Sequence, residues 1–240
     1  MTEALTRTRF IVGFDRHAPE FDPTVDKIFG DFLKDFKPHR RIAGGDWLNC
    51  DQITDYPYDY ETDLKDDVEE TNEKLDLWKI TDYLEGNHEE RLGRCGLVRK
   101  GIRSLLNPRY LLELDKRGIR YFPYDRKRGV LKLGKLSILH GFYINEYVAA
   151  KTAAAYGCCM FGHAHRFQVF QPRSTFVNHT GFSIGMMGNV DQSWEKGKPP
   201  SGHMQGFVFG YLHRNGHFDL YPVRIVGQQV IIEGRAYSRR

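Results

Sequence analysis

ITDYLEGNHEER, from Ile80 to Arg91, runs a short apolar strand, Ile80 to Leu84, straight into a glycine, a carboxamide, an imidazole and a carboxylate. A strand that ends in Gly86-Asn87-His88-Glu89 delivers polar side chains to one edge of a sheet. Four more blocks repeat the pattern: Asp15-Arg16-His17 after Arg9 to Phe14, Gly45-Asp46 after Ile42-Ala43, His140-Gly141 after Leu136 to Leu139, and Gly162-His163-Ala164-His165 after Cys158 to Phe161. Two carboxylates, four imidazoles and a carboxamide can thus converge from distant sequence, which is the donor mixture of a two-metal site. Residues two apart at a strand end, Asp15 with His17 and His163 with His165, project to the same side.

Between these blocks the chain alternates strand and helix, then turns to strands. Asp22-Pro23 opens a helix whose Val25, Ile28, Phe29, Phe32, Leu33 and Phe36 recur at helical spacing until Pro38. Leu64, Val68, Thr71, Leu75 and Trp78 mark one face of a charged second helix. Asn107-Pro108 starts a helix that Gly118 ends, and Asn145 to Tyr156 reads as another before Gly157. Val130 to Leu133 and Leu136 to Leu139 form a hairpin about Gly134-Lys135, and Phe207 to Leu212 pairs with Phe218 to Tyr221 across Asn215-Gly216. Asp51 to Tyr60 is expected to be an exposed acidic loop and Gly234 to Arg240 a frayed tail. Two packed sheets with helices outside follow from this order.

With 240 residues the chain supports one sizeable core, so a single domain over 1–240 is expected. No long uncharged apolar stretch could span a bilayer, and Met1 to Arg9 lacks a signal-peptide pattern, which points to a soluble, cytoplasmic protein without a membrane partner. Cys50, Cys95, Cys158 and Cys159 show neither a disulfide framework nor zinc spacing, and they fit a reduced compartment. Charge is uneven. Asp51 to Asp76 holds eleven acidic residues against Lys65 and Lys74, whereas Arg91 to Lys132 holds thirteen basic residues against Glu113, Asp115 and Asp125. A basic stretch beside the metal edge suits a polyanion such as DNA or RNA.

From about Phe10 to Ser183, the order and spacing of the five blocks resemble those of the calcineurin-like metallophosphoesterases. The Gly-Asn-His-Glu-Glu-Arg and Gly-His-Ala-His-Arg versions are most similar to phage and bacterial enzymes related to DNA-repair nucleases. The resemblance implies an α/β fold, a four-layer αββα sandwich of two mixed β-sheets flanked by helices. It also implies two divalent metal ions: Asp15, His17 and His165 on the first, Asn87, His140 and His163 on the second, and Asp46 bridging both. Manganese is preferred, with iron, zinc, cobalt or nickel as alternatives, because imidazole donors disfavour a pure magnesium site. Two such ions bring four positive charges, and two aspartates and a bridging hydroxide return three, which leaves the centre electrophilic toward an anionic ester.

By the same resemblance His88 faces the substrate, protonating the leaving oxygen or stabilising charge there. Arg91 and Arg166 follow two of the blocks as candidates for substrate phosphate contacts. Gly45-Asp46 continues into Trp47-Leu48-Asn49-Cys50-Asp51 rather than a second aspartate, arginine and glycine, which disfavours the serine/threonine phosphoprotein phosphatases. It also leaves Asn49 where a carboxylate would support His88. Asn178 to Ser183 loosely matches an Asn-x-Gly-Ser-like turn expected to support the site through its backbone. His39, His203, His213 and His217 lack ligand spacing and are expected at surface or hairpin positions. Tyr143 could stack on a base, but packing is the preferred reading. The function implied is hydrolysis of phosphodiesters in nucleotides or nucleic acid. A phosphomonoesterase on nucleotides or phosphoproteins and a non-catalytic metal-binding scaffold are the alternatives.

Overall fold

The structure is a computed structural model that describes residues 7–54, 62–98, 100–102, 104–173, 179–192 and 202–239. In chain order the first half runs β1 (Thr8–Gly13), α1 (Pro23–Phe36), β2 (Arg40–Ala43), α2 (Leu64–Leu77), β3 (Asp82–Leu84), α3 (Asn87–Val98), α4 (Pro108–Leu111) and β4 (Arg120–Phe122). The second half runs β5 (Leu131–Leu133), β6 (Leu136–Leu139), α5 (Val148–Tyr156), β7 (Cys159–Phe161), β8 (Gln168–Phe170), β9 (Gly181–Ser183), β10 (Gln205–Leu212), β11 (Phe218–Ile225), β12 (Gln229–Ile232) and β13 (Arg235–Ser238).

A six-stranded sheet has the order β11-β10-β1-β2-β3-β4, with β1 to β4 parallel and the β10–β11 hairpin antiparallel at one side. A five-stranded sheet has the order β5-β6-β7-β9-β8, with β6, β7 and β9 parallel. Alternation along the strands builds the layers. Phe10, Val12, Ile42 and Leu84 pack against Ile138, Met160 and Ile184 of the second sheet. Ile11, Ala43 and Tyr83 turn the other way, onto Phe29, Phe32, Leu75 and Trp78 of the α1–α2 side. Leu139, Cys159 and Phe161 meet Val148, Ala149 and Ala153 of α5 on the far face. The result is the four-layer αββα sandwich of two mixed sheets.

The periodic apolar face of α1 is sealed at both ends by local chemistry. Asp22 accepts the Thr24 and Val25 N–H groups, Pro23 occupies the first turn, and Lys37 closes the helix in the left-handed conformation. Phe29 packs tilted against Trp78 and edgewise against Phe207, so truncating it to alanine should cost about 3–5 kcal/mol.

Several expectations need correction. The helix from Asn107 keeps its asparagine cap but ends by Leu112, because Glu113 takes a left-handed φ of 47°. The helix expected from Asn145 starts at Val148, where the Gln168 side chain accepts the Ala149 N–H at 2.8 Å. The tail is not frayed over the described residues. β13 pairs with β12, and Tyr237 hydrogen-bonds Asp35 on α1 at 2.9 Å; Arg240 lies outside the described residues. Asp51, expected in an exposed loop, is buried at the start of a short 3-10 turn, and residues 55–60 lie outside the described residues. Gly181–Ser183 is not a turn but strand β9, between β7 and β8; Asn178 lies outside the described residues.

Candidate metal centre

Each of the five blocks follows the carboxyl end of a strand with a parallel neighbour: β1, β2 and β3 in the first sheet, β6 and β7 in the second. The first two loops are laced together by their backbones. Asp15 N–H donates to Gly45 O at 3.0 Å, His17 N–H to Asp46 O at 2.9 Å and Ala18 N–H to Trp47 O at 2.8 Å. Asp15, His17, Asp46, His163 and His165 all hold left-handed φ values, between 50° and 64°, which costs on the order of 1–3 kcal/mol each for residues with a Cβ. Such strain persists where surrounding contacts over-determine it. Here one source is close approach: a Cβ on Gly86 would stand 2.0 Å from Asp46 Oδ1, and one on Gly162 would stand 2.3 Å from Asp15 Oδ2.

The seven expected ligands come together. Ligand atoms of Asp15, His17 and His165 lie within 4.8 Å of one another, as do those of Asp46, His140 and His163. Asn87 Oδ1 is 3.1 Å from His140 Nε2, which is itself 3.1 Å from Asp46 Oδ2. His17 Nε2 and His165 Nε2 are 3.2 Å apart. Donors bound to one ion at roughly 2.0–2.2 Å stand about 3 Å from each other, so these separations fit a shared cation. The far sides of the rings fit as well. His17 Nδ1 meets Asn49 Oδ1 at 3.2 Å and His140 Nδ1 meets Gly44 O at 3.2 Å, which turns both Nε2 atoms to the centre. Asp15, His17, Asp46, His140 and His165 are buried.

The charged groups of the cluster shift one another. Burial opposes charge on His140, but Asp46 and Asp15 outweigh it and push this histidine up to about 9. Burial also works against an ionised Asp46, yet His140 and His88 hold it well below the usual carboxylate range. His163 is driven down to about 4 by burial and by His140, and His17 is lowered by burial and by His88 and His165.

His88 and Arg91 sit beside this centre. His88 N–H donates to Asp46 Oδ1 at 2.8 Å, and its Nε2 is 3.9 Å from Asp46 Oδ2; burial lowers its pKa to about 4. His17, Asp46 and His88 also have ligand atoms within 4.8 Å of one another. The Asn49 side chain meets His17, not His88; it is the Asn49 carbonyl that accepts from His88 Nδ1, at 2.7 Å. Arg166 Nη2 donates to the carbonyls of Ile144 and Asn145, at 3.1 and 3.2 Å.

Four supporting residues escaped the sequence reading. Glu89 is fully buried and accepts from the N–H groups of Asp46, Trp47, Leu48 and Gly86 and from the Tyr83 hydroxyl; its place inside the Gly-Asn-His-Glu block was the available signal. Arg16 is fully buried, paired with Asp26 at 2.8 Å and stacked over Phe21, which ties the Asp15–His17 loop to α1. Asp51 accepts from Asn49 and Arg91. His203, expected at the surface, is half-buried with its ring 4.6 Å from His165, because Met204 N–H docks on the His165 carbonyl at 2.8 Å. His179, by contrast, is exposed, and His213 and His217 lie on the β10–β11 hairpin.

No helix among the described residues is long and apolar enough to cross a membrane. No family model matches the chain, and no curated protein matches it in sequence. Solved structures do. Vacuolar protein sorting 29 of Cryptosporidium parvum aligns over 96% of this chain and 94% of its own, with 14% identity and a TM-score of 0.52. A metallophosphoesterase of Sphaerobacter thermophilus aligns over 92% and 88% with 14% identity and a TM-score of 0.46. The nuclease MPE of Pseudomonas putida aligns over 89% and 85% with 11% identity and a TM-score of 0.41. Identity this low speaks to architecture alone: the chain shares the fold of vacuolar protein sorting 29, with its two mixed sheets.

Proposed function

We propose that this protein is a metal-dependent phosphoesterase, a single catalytic domain over 1–240 acting in the cytoplasm on phosphodiesters of nucleic acid. The observation that carries the reading is the convergence of Asp15, His17, Asp46, Asn87, His140, His163 and His165, five of them buried and five in left-handed backbone, at N and O separations that suit divalent cations. Asp15, His17 and His165 would hold one ion, Asn87, His140 and His163 the other, and Asp46 both, with manganese the first metal to try. Ions bound there supply Lewis acidity toward phosphoryl oxygens and acidify water. The chain's own contribution is to hold their ligands without reorganisation and to place His88 and Arg91 beside them, where charge develops on a departing oxygen.

Preference for nucleic acid rests on Arg126 and the segment after His140. Arg126 lies over the Phe142 ring at 5.9 Å, and Lys151 over Tyr143 at 4.3 Å. Neither these two nor Arg166 forms an ion pair with a carboxylate among the described residues, and Ile144 and Tyr147 are exposed beside them. Cations and aromatic faces mixed on one rim suit a strand of phosphates and bases. The test is manganese-supported hydrolysis of paired chromogenic mono- and diesters and of labelled single- and double-stranded DNA, with Asp46→Asn as control. Diester and DNA cleavage that vanishes in Asp46→Asn is the expected result. Turnover confined to monoesters would move the reading to a phosphatase, and no turnover with metal bound would leave a metal-binding scaffold.

A further inference from the structure

Arg91, one helical turn beyond His88 on α3, ends in a clamp. Its Nη1 donates to Asn49 O at 3.1 Å and to Asp51 Oδ1 at 3.2 Å, and its Nη2 lies 3.1 Å from His88 Nε2. Asn49 O also accepts from His88 Nδ1, at 2.7 Å. A ring that gives its Nδ1 hydrogen to a carbonyl presents a lone pair at Nε2, so Arg91 is the donor across the 3.1 Å contact. Both ring nitrogens of His88 are therefore engaged, and neither holds a hydrogen available to a substrate. Asn49 is itself fixed, with Oδ1 at His17 and Nδ2 donating to Asp51 Oδ2 at 2.7 Å. Asp51 is buried, and the Arg91 side chain is only 12% exposed. The carboxylate missing from the Asn49 position thus enters one step further out, through Arg91.

We propose that Arg91 is the catalytic cation on the leaving-group side, and that His88 and Asp51 are positioning residues that hold its guanidinium there. This inference rests on the phosphoesterase reading and divides the labour within it. Water supplies the oxygen of the new phosphorus–oxygen bond. The bond to the leaving group breaks with its electron pair on the departing oxygen, and that oxygen takes its proton from the same water. Arg91 stabilises the charge by hydrogen bonding and transfers no proton, since a guanidinium keeps its charge throughout the working pH range. Of its five N–H hydrogens, three are committed to Asn49, Asp51 and His88, and the other two, with no acceptor among the described residues, can meet an oxygen anion.

The discriminating variant is His88→Gln, whose carboxamide oxygen can still accept from Arg91 but cannot serve as a general acid. With a poor alkoxide leaving group, His88→Ala and Arg91→Ala should each lose about 10²-fold in kcat, while His88→Gln stays within about tenfold of wild type. With a nitrophenolate leaving group, which needs little stabilisation, the losses should shrink to a few-fold. Asp51→Asn should fall between wild type and Arg91→Ala. A second readout needs no metal and no turnover: nitrogen NMR of the metal-free protein should show His88 protonated at Nδ1, with the Nε2 resonance moving toward that of an unbonded nitrogen in Arg91→Ala. If His88→Gln falls as far as His88→Ala, if Arg91→Ala loses equally with both leaving groups, or if His88 carries its hydrogen on Nε2, the assignment is overturned. Wild type without Asp46-dependent hydrolysis would instead remove the phosphoesterase reading and the catalytic role with it, even with the NMR clamp intact.

Discussion

Asp15, His17 and Asp46 stand on two loops of the first sheet whose backbones are bonded to each other, whereas His140, His163 and His165 reach the same place from the second sheet. Contacts from the second sheet rely on the first sheet's side chains and free carbonyls. His163 N–H donates to both oxygens of Asp15, at 3.1 and 2.9 Å, and His140 Nδ1 meets the Gly44 carbonyl. The first half is built by the fold, and the second is placed against it. Breaking the first half should therefore cost stability, and breaking the second should cost metal binding with little loss of stability.

Glu89→Ala tests the first half and carries the largest expected effect. It would leave four buried backbone N–H groups and the Tyr83 hydroxyl without their acceptor. A loss of about 3–5 kcal/mol is expected, read as a shift in the urea midpoint. An unchanged midpoint would mean that the loop lacing alone holds Asp46, and the contrast between the halves would fail.

Metal removal probes the junction. In metal-free protein His140 is raised from the ordinary 6.5 to about 9 by Asp46 and Asp15 against the opposing effect of burial. Between those two values the folded state binds the proton and the unfolded state does not. The stability this histidine contributes is therefore full below pH 6.5 and is lost as pH rises through 9. Loaded protein should lack that decline, because a metal requires the neutral ring. Denaturation midpoints at pH 6.5 and 9.5, with and without manganese, and in His140→Gln, measure it. A decline of equal size in metal-free His140→Gln would assign it to other groups.

The same contrast explains how much could be read from the chain. The strand-end blocks and the α1 face were legible because ligand spacing and helical period are local properties, and Asp22, Pro23 and Lys37 supply the caps in place. The Glu89 cradle was half legible: its block was visible, but only the fold shows that Asp46 to Leu48 hang from it. Arg91 was legible as a cation near the site, and not as a group held by Asp51 and His88, since that depends on how the loop after Asp46 meets α3. His203 was unreadable for the same reason. It comes to His165 through a backbone contact of Met204, and no periodicity encodes that. The β12–β13 hairpin hid because glycine and charge near a terminus resemble fraying, whereas Tyr237 and Arg235 find Asp35 on α1.

His163→Gly should separate binding from folding in the second half. His163 holds a φ of 64° and, driven down to about 4, sits neutral in a half-buried place. Glycine relieves the backbone strain while adding freedom to the unfolded chain, so stability should move by less than about 1 kcal/mol. Manganese affinity, measured by calorimetry, should fall at least tenfold. A loss of stability comparable to that of Glu89→Ala would show that the second half is also built by the fold.

The smallest effect distinguishes the cations of the two halves. On the first-sheet side Arg109 pairs with Asp115, Arg117 with Asp76 and Arg120 with Asp82, so their charge is already met within the protein. On the second-sheet side Arg126 rests on Phe142, two residues from His140, with no carboxylate partner among the described residues. A cation already paired releases no counterion when a phosphate arrives, and an unpaired one does. Arg126→Ala should therefore lower the slope of log affinity against log salt for single-stranded DNA by about 0.7, and Arg109→Ala should leave it unchanged. Equal slopes for wild type and Arg126→Ala would take this rim out of the substrate's path and confine recognition to the ester bond itself.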